Sequence, residues 1–406
     1  MERSRVLAKL IRTRYALFLL AFLLTLIGVL FIHSTTSDGD PFPSRLARGQ
    51  IVKAAFALLG LFAVTRVDYR WFDRHAYAIY AVLASILLGM LVVKLSSGGI
   101  NRFIQLDKLQ LQPSELMKIG LIVGLARYLR FRKDQRQVRG LIGPFLLTLI
   151  PMALVLLEPD LGTSLMFPPV LLGMLFVAGG KPRHLLLALF LGLLLLPAAY
   201  FLGSSIPFLH EYQRDRLTAF VKRDDTTARS KGFQLRQSEI AIGSGGFTGK
   251  GFGEGTQNTL RYLPEKHTDF IYSILAEELG FVGAASVVAL FLSLVLLILR
   301  VAVYTREPFG RLAVTGIGVA FAAQSFENLG MTMGLTPITG IPLPFVSLGG
   351  SSLLTSFLSM GIVLNIAARP VRVVATKDFD PKDRKKILAL LEDMPAGSLQ
   401  RQWPVE

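Results

Sequence analysis

The sequence predicts an all-α integral membrane protein of about ten transmembrane helices, with a large extracytoplasmic loop between the seventh and the eighth. Three observations predict this. Of the 406 residues 52% are hydrophobic and the mean hydropathy is +0.51, too apolar for a soluble domain of this length. Apolar segments of roughly 18 residues, the length a helix needs to cross a bilayer, recur along the chain. Lysine and arginine gather in alternate connections, as they do when those connections face the cytoplasm.

The expected spans are 15–34, 50–66, 76–95, 114–131, 140–157, 162–179, 183–203, 269–299, 309–334 and 348–367. The first has basic flanks and no small-residue cleavage site, so it reads as a retained helix and not as a cleaved leader. Basic residues precede it (Arg3, Arg5, Lys9, Arg12, Arg14) and follow the second, fourth, sixth and eighth spans. With ten alternating spans all of these fall on one side, so both termini are expected in the cytoplasm. The short connections 158–161 and 335–347 hold no Lys or Arg. Residues 1–369 form one membrane domain, and 370–406 a polar cytoplasmic tail, solvated near anionic lipid. The net charge of +16 then reflects topology, because the bases are spread over many loops; nucleic-acid binding is disfavoured. With no cysteine, neither a disulfide nor a thiolate metal site is possible.

The connections expected outside differ in kind. They are rich in Gly, Pro, Ser, Thr and isolated charges, as in 96–103, 158–163, 243–255 and 339–352. Irregular backbone near membrane depth has to be buried in protein or line a wet cavity, because lipid cannot satisfy its polar groups. Several such segments on one face imply a shared outward cavity.

Within the fourth span, Pro113 suits a first helical turn, and Glu115 and Lys118 share a helix face at i,i+3. They read as an ion pair one turn inside the apolar layer, structural or ligand-binding. Loop 204–268 carries Arg214 and Arg216, then Arg236, Gln237, Ser238 and Glu239, then the Gly-rich run 243–255. Arginine forks suit phosphate oxygens and clustered glycines admit an anion close to the backbone. The spacing does not match a P-loop, so a pyrophosphate-bearing lipid is a better expectation than a nucleotide. Carboxylates on this face are Asp107, Glu158, Asp160, Glu239, Glu254, Glu265 and Asp269, any pair of which suits acid–base work or a hard divalent cation. No histidine stands at metal-ligand spacing to another, and Gly-x-Ser-x-Gly is absent, which disfavours a zinc hydrolase and an esterase. The segment 269–299 is longer than one span requires, so its first two turns are expected to line the cavity, with a bend at Gly280 or Gly283.

Across nearly its whole length the chain resembles the SEDS family (shape, elongation, division and sporulation). The resemblance is carried by Gln112-Pro113-Ser114-Glu115-Leu116 with Lys118, Pro159-Asp160-Leu161-Gly162-Thr163, and Tyr212-Gln213-Arg214-Asp215-Arg216. It continues through Gln237-Ser238, Ile240–Gly246, Gly255-Thr256-Gln257, Leu263–Ile271, Ala276–Gly280, Thr339–Ser347 and Gly349–Ser352. The Thr-Gly-Ile-Pro-Leu-Pro-Phe form and the Gly-Thr-Gln element favour the elongation branch over the division branch. Phe103, Leu348 and Glu158 depart from the usual Trp, Tyr and Gln, which puts details of substrate contact in doubt.

The resemblance implies a peptidoglycan glycosyltransferase that polymerises lipid II into β-1,4 glycan strands on the outer face of the cytoplasmic membrane. It implies a class B penicillin-binding protein, the transpeptidase, as partner. The family's essential acid falls on Asp269, the expected catalytic base, and its ion pair on Glu115 and Lys118. Arg102, Arg214, Arg216 and Lys266 are the expected pyrophosphate contacts, and Asp160, Gln237, Ser238, His267, Ser347 and Ser351 complete the expected substrate-binding set. A divalent cation, Mg²⁺ or Mn²⁺, is an expected helper with no assigned ligands. The rivals are a lipid II flippase, a non-catalytic scaffold for a transpeptidase, and a division homologue. For Asp269 itself the plain alternative is a helix N-cap.

Overall fold

The computed structural model describes residues 2–36, 42–97, 103–106, 109–132, 134–202, 231–260, 262–263 and 265–369. Arg102, Asp107, Arg214, Arg216 and the tail 370–406 lie outside them, as does most of the first half of loop 204–268.

Helices occupy all ten segments expected to be apolar spans. In chain order they are α1 (Glu2–Thr36), α2 (Arg45–Arg66), the short α3 (Tyr69–Arg74), α4 (Ala76–Ser97), α5 (Pro113–Leu129), α6 (Val138–Leu157), α7 (Leu161–Leu165), α8 (Phe167–Val177) and α9 (Pro182–Leu202). Then come α10 (Lys231–Ser244), α11 (Thr256–Thr259), α12 (Ile271–Tyr304), α13 (Pro308–Thr332) and α14 (Gly350–Ala368). Seven are long and apolar enough to cross a membrane: α1, α2, α4, α6, α12, α13 and α14. Helix α5 has 17 residues, and the apolar runs Leu161–Val177 and Pro182–Gly192 are shorter than a full span. The segment expected as one helix over 162–179 is two, because Pro168 and Pro169 start a new helix and Met166 forms the joint. One hairpin adds to the all-α expectation: β1 (Ile104–Leu106) pairs antiparallel with β2 (Leu109–Leu111).

Burial separates central from peripheral helices. The apolar window of α14 is 83% buried and that of α13 67%, against 11% for α4. Helix α14 packs along α2, α13 lies against α12, α8 and α5, and α1 closes over α12. Phe345 and Phe357 are fully buried in this centre, with ring centroids 5.2 Å apart.

Proline in an apolar helix leaves a carbonyl four residues back without its helical donor. In α6, Pro151 does this to Leu147, and the Tyr80 hydroxyl donates to that carbonyl at 2.8 Å. At the C-terminus of α6, Lys94 donates to the Leu157 carbonyl at 2.8 Å. Both bonds tie α4 to α6 through groups that lipid could not satisfy.

Candidate active site

Asp269 sits in a tight turn at the entrance of α12. The backbone N–H groups of Thr268, Asp269 and Phe270 converge on the Glu265 carbonyl at 3.2, 3.1 and 3.2 Å. Three distant segments fix the turn. Ser347 donates to the Thr268 carbonyl at 2.6 Å, Leu348 N–H to the His267 carbonyl at 2.9 Å, and Asn328 Nδ2 to the Asp269 carbonyl at 3.0 Å. Asn328 also reaches the Ile341 carbonyl at 2.8 Å, so one amide links α13, the 339–349 segment and the Asp269 turn. From α2, the buried Gln50 donates to the Ser347 carbonyl at 3.1 Å.

The cap of α12 is Phe270, and no side chain makes a cap bond there. Asp269 stands one residue before it. Its side chain is half-buried at the rim of the apolar bundle.

Eleven residues after Asp269, the helix breaks. Gly280 has φ 65° and ψ −164°, a conformation that favours glycine, and an added Cβ would lie 2.2 Å from the Gly249 nitrogen. The break frees backbone groups on both sides, and 246–251 takes all four. Lys250 N–H donates to the Glu277 carbonyl at 3.1 Å and Gly251 N–H to the Glu278 carbonyl at 3.0 Å. Phe281 and Val282 N–H donate to the Gly246 and Phe247 carbonyls at 2.9 and 3.2 Å. The bend expected at Gly280 or Gly283 is at Gly280. The two turns between Asp269 and the break are thus a separate piece of helix, spliced into the 245–257 loop.

That piece carries two fully buried carboxylates. Glu277 Oε1 accepts from Lys250 Nζ at 2.6 Å, from Thr256 N–H and hydroxyl at 2.8 Å each, and from Gln257 N–H at 3.2 Å. Glu278 accepts from Ser34 of α1 at 2.5 Å. Ser273, on the same piece, meets Ser238 of α10 at 2.6 Å, and Ser238 donates to the Thr332 carbonyl at 2.7 Å.

A second acidic corner lies at the start of α7. Asp160 caps α7 by accepting from Thr163 N–H at 3.2 Å. Its other oxygen accepts from Gln112 Nε2 at 2.8 Å and Ser114 Oγ at 3.1 Å, both at the start of α5. Just inside α5, Lys118 Nζ lies 2.9 Å from Glu115 and donates to Gln324 Oε1 at 3.1 Å. Gln324 passes the connection to the Pro342 carbonyl at 2.8 Å. The i,i+3 pair is thus formed and buried, and it braces α5 against α13 and the 339–349 segment. Lys118 and Gln324 also line a small cavity with Thr355, Ser356 and Ser359 of α14.

Four residues expected to touch substrate are engaged with protein. Ser347 also accepts from Leu343 N–H at 2.8 Å. Ser351 accepts from Gln112 N–H at 2.8 Å and donates to the Gln110 carbonyl at 2.7 Å, anchoring the hairpin. Ser238 and Asp160 are engaged as described. All four hold segments of the chain together. Gln237 on α10 is half-buried, as are Lys266 and His267 in the Asp269 turn. Burial lowers the His267 pKa, opposed by Glu265 and reinforced by Lys266. Two residues that sequence reasoning missed are Asn328 and Gln50. Each is a buried amide in an apolar helix, and that polar intrusion is the one signal that marks them.

Among the described residues no three His, Asp or Glu side chains gather as a metal-ligand set.

A family model described as cell cycle protein, covering FtsW, RodA and SpoVE, matches residues 14–370. A relative from Geobacter sulfurreducens, named "Probable peptidoglycan glycosyltransferase FtsW", is 38% identical over 86% of this chain and 94% of its own. The Escherichia coli K12 "Peptidoglycan glycosyltransferase MrdB" is 33% identical over 78% of this chain and 84% of its own. A solved chain from a study titled "Structural coordination of polymerization and crosslinking by a peptidoglycan synthase complex" superposes with a TM-score of 0.73 at 31% identity, covering 88% of this chain and 98% of that one. The Thermus thermophilus rod shape determining protein RodA superposes with a TM-score of 0.64 at 28% identity, covering 88% and 97%.

Proposed function

The chain belongs to the FtsW, RodA and SpoVE family of cell cycle proteins, and we infer from this and from the site that it is a peptidoglycan glycosyltransferase acting on lipid II. The observation that carries the reading is Asp269: a half-buried carboxylate outside the helix cap, on a turn pinned by Ser347, Leu348 and Asn328. A sugar hydroxyl is a weak nucleophile, and a positioned carboxylate is what it needs. The 4-hydroxyl of the acceptor GlcNAc gives its proton to Asp269 as its oxygen attacks the anomeric carbon of the donor glycan. The bond from that carbon to the pyrophosphate breaks, and undecaprenyl pyrophosphate leaves with the electron pair. Inversion at the carbon gives the β-1,4 link.

The leaving pyrophosphate needs cationic partners. Lys266, Arg102, Arg214 and Arg216 are the candidates; the three arginines lie outside the described residues. Mg²⁺ binds through one or two carboxylates plus substrate phosphates, so Asp269 would hold a Mg²⁺ or Mn²⁺, which would supply positive charge to the leaving pyrophosphate.

The protein spans the cytoplasmic membrane with about ten helices, both termini inside and the Asp269 corner outside. The basic connections between the expected spans support this orientation. A class B penicillin-binding protein is the partner. The elongation role follows from the Thr-Gly-Ile-Pro-Leu-Pro-Phe and Gly-Thr-Gln elements; the higher identity to FtsW-named relatives favours the division role. Depletion strains separate the two: the elongation role requires that the chain restore rod shape and not septation. The activity is tested by lipid II polymerisation with purified protein, with and without the transpeptidase. Glycan strands of increasing length are expected. Lipid II movement across vesicles without polymer would instead mark a flippase.

A further inference from the structure

The buried residues of α2 are Ala47, Gln50, Ala54, Ala57 and Leu61, a stripe at three- and four-residue spacing. Four of the five are apolar, as a helix face inside a bundle should be. Gln50 is the exception, and it is 0% exposed. A buried amide is costly unless it is hydrogen-bonded, so its bonds explain its place. Gln50 Nε2 donates to the Ser347 carbonyl at 3.1 Å, and Oε1 accepts from Gly349 N–H at a longer 3.5 Å. Both ends of one amide thus grip the main chain on either side of Leu348.

The gripped segment in turn reaches the Asp269 turn. Ser347 Oγ donates to the Thr268 carbonyl at 2.6 Å, and Leu348 N–H to the His267 carbonyl at 2.9 Å. The route from Gln50 to Asp269 therefore runs through main-chain atoms and one hydroxyl. The segment does not hold its shape unaided. Phe345, two residues before Ser347, has φ 64°, a left-handed conformation disfavoured for a bulky side chain. Such backbone persists where its surroundings over-determine it. The Phe345 ring is buried, with centroids 5.4 Å from Phe321 and 5.2 Å from Phe357. On α1, a Cβ added to Gly28 would collide with the Val346 carbonyl, so the segment lies directly against that helix. Apolar packing is non-directional and holds the segment down without fixing where its carbonyls and N–H groups point. The Gln50 amide supplies that direction.

We propose that Gln50 is a positioning residue for the transfer: it sets the place of residues 347–349 and, through the His267 and Thr268 carbonyls, that of Asp269. Asn328 holds the Asp269 carbonyl from α13, and Gln50 gives the same turn a second anchorage, from α2. Being fully buried, Gln50 acts through this segment and not on substrate. The effect on rate rests on the proposed activity; the placing of the turn does not.

The test compares parental protein with Gln50→Met, which keeps the length of the side chain and removes both hydrogen bonds. Each purified protein is read two ways, by lipid II polymerisation per folded molecule and by amide hydrogen exchange in detergent. Gln50→Met is expected to lower the maximal rate about ten- to a hundredfold, the cost of a small misplacement at a reacting group. The half-saturating lipid II concentration should stay parental, because no substrate contact is removed. Exchange is expected to rise at 265–270 as well as at 343–350. It should stay parental at the Asp160 corner, 158–164, which a general loosening would also move. Ser347→Ala breaks the next link, so the double variant is expected to be no slower than the slower single variant. Should Gln50→Met not fold, Gln50→Asn, an amide one methylene too short to grip, takes its place under the same readings. A parental maximal rate in the folded variant, parental exchange at 265–270, or rate losses that multiply in the double variant overturns the proposal and leaves Gln50 as a brace between α2 and α14. Exchange needs no turnover. A parental protein that made no glycan while the Gln50 variant loosened 265–270 would count against the activity and leave the positioning of the turn standing.

Discussion

Asp160 and Asp269 stand at the entrances of two helices, and their surroundings divide the work. Asp160 is 9% exposed and gives one oxygen to the α7 cap and the other to the start of α5. Asp269 is half-buried, precedes the cap residue, and is held through its backbone by Asn328. A carboxylate whose oxygens are all bonded to protein is a joint. The turn that carries Asp269 is instead placed through its main-chain carbonyls, by Ser347, Leu348 and Asn328. The difference teaches that motif membership alone does not assign a role, since both aspartates lie in family motifs.

The piece of helix that carries Asp269 gives the largest expected effects. Glu277→Ala leaves Lys250 and the N–H groups of Thr256 and Gln257 without their acceptor, and breaking such a buried pair costs about 3–5 kcal/mol. The expected outcome is loss of monodisperse protein in size-exclusion chromatography. Gly280→Ala should do the same, because its Cβ meets the 249 backbone. If both variants stayed monodisperse and active, the splice would not be what positions Asp269.

Asp160→Ala sharpens the comparison from the other side. It removes a cap, worth about 1 kcal/mol. It also leaves buried donors on Gln112 and Ser114, at about 1–3 kcal/mol each. The melting temperature should fall, while the rate per folded molecule should hold within a few-fold. A folded Asp160→Ala protein that made no glycan would show that the joint is also chemical.

The ion pair comes next. Glu115→Gln and Lys118→Met should each lower stability, and a double-mutant cycle should show coupling of about 0.5–3 kcal/mol. Additive losses would mean that the 2.9 Å contact carries no energy.

His267 gives the smallest effect. Burial lowers its folded pKa below the ordinary histidine value of 6.5, so the unfolded chain takes up a proton first as pH falls. Its contribution is fully present above 6.5 and is lost as pH falls through that value toward the lower folded pKa. His267→Gln should flatten this part of the melting profile below pH 6.5. An unchanged slope would show that burial does not lower its pKa.

Periodicity and backbone chemistry made some features legible. Glu115 and Lys118 are paired because i,i+3 is a local relation. The bend at Gly280 was visible because 269–299 is too long for one span and only two glycines could turn it. The Asp269 corner was visible because charges end where apolar sequence begins. Partners far apart in sequence were not legible. Nothing near Asn328 says that it reaches Asp269, 59 positions earlier. Pro151 announces a freed carbonyl at Leu147, yet not that Tyr80 supplies the hydroxyl. The serines 238, 347 and 351 illustrate the same limit. A hydroxyl in a Gly-rich outer segment reads equally well as a ligand contact or a brace, and only the packed neighbours decide.

The most direct measurement of the central claim is lipid II polymerisation by purified Asp269→Asn protein. Asparagine keeps the size and the backbone bonds of Asp269 but cannot accept the proton. The variant should melt at the parental temperature and bind the transpeptidase, with a polymerisation rate lower by about 10²–10⁴-fold, the usual worth of a general base. Polymerisation near the parental rate by folded Asp269→Asn protein would contradict the account and send the search for the base to Glu158, Asp160 and Glu239.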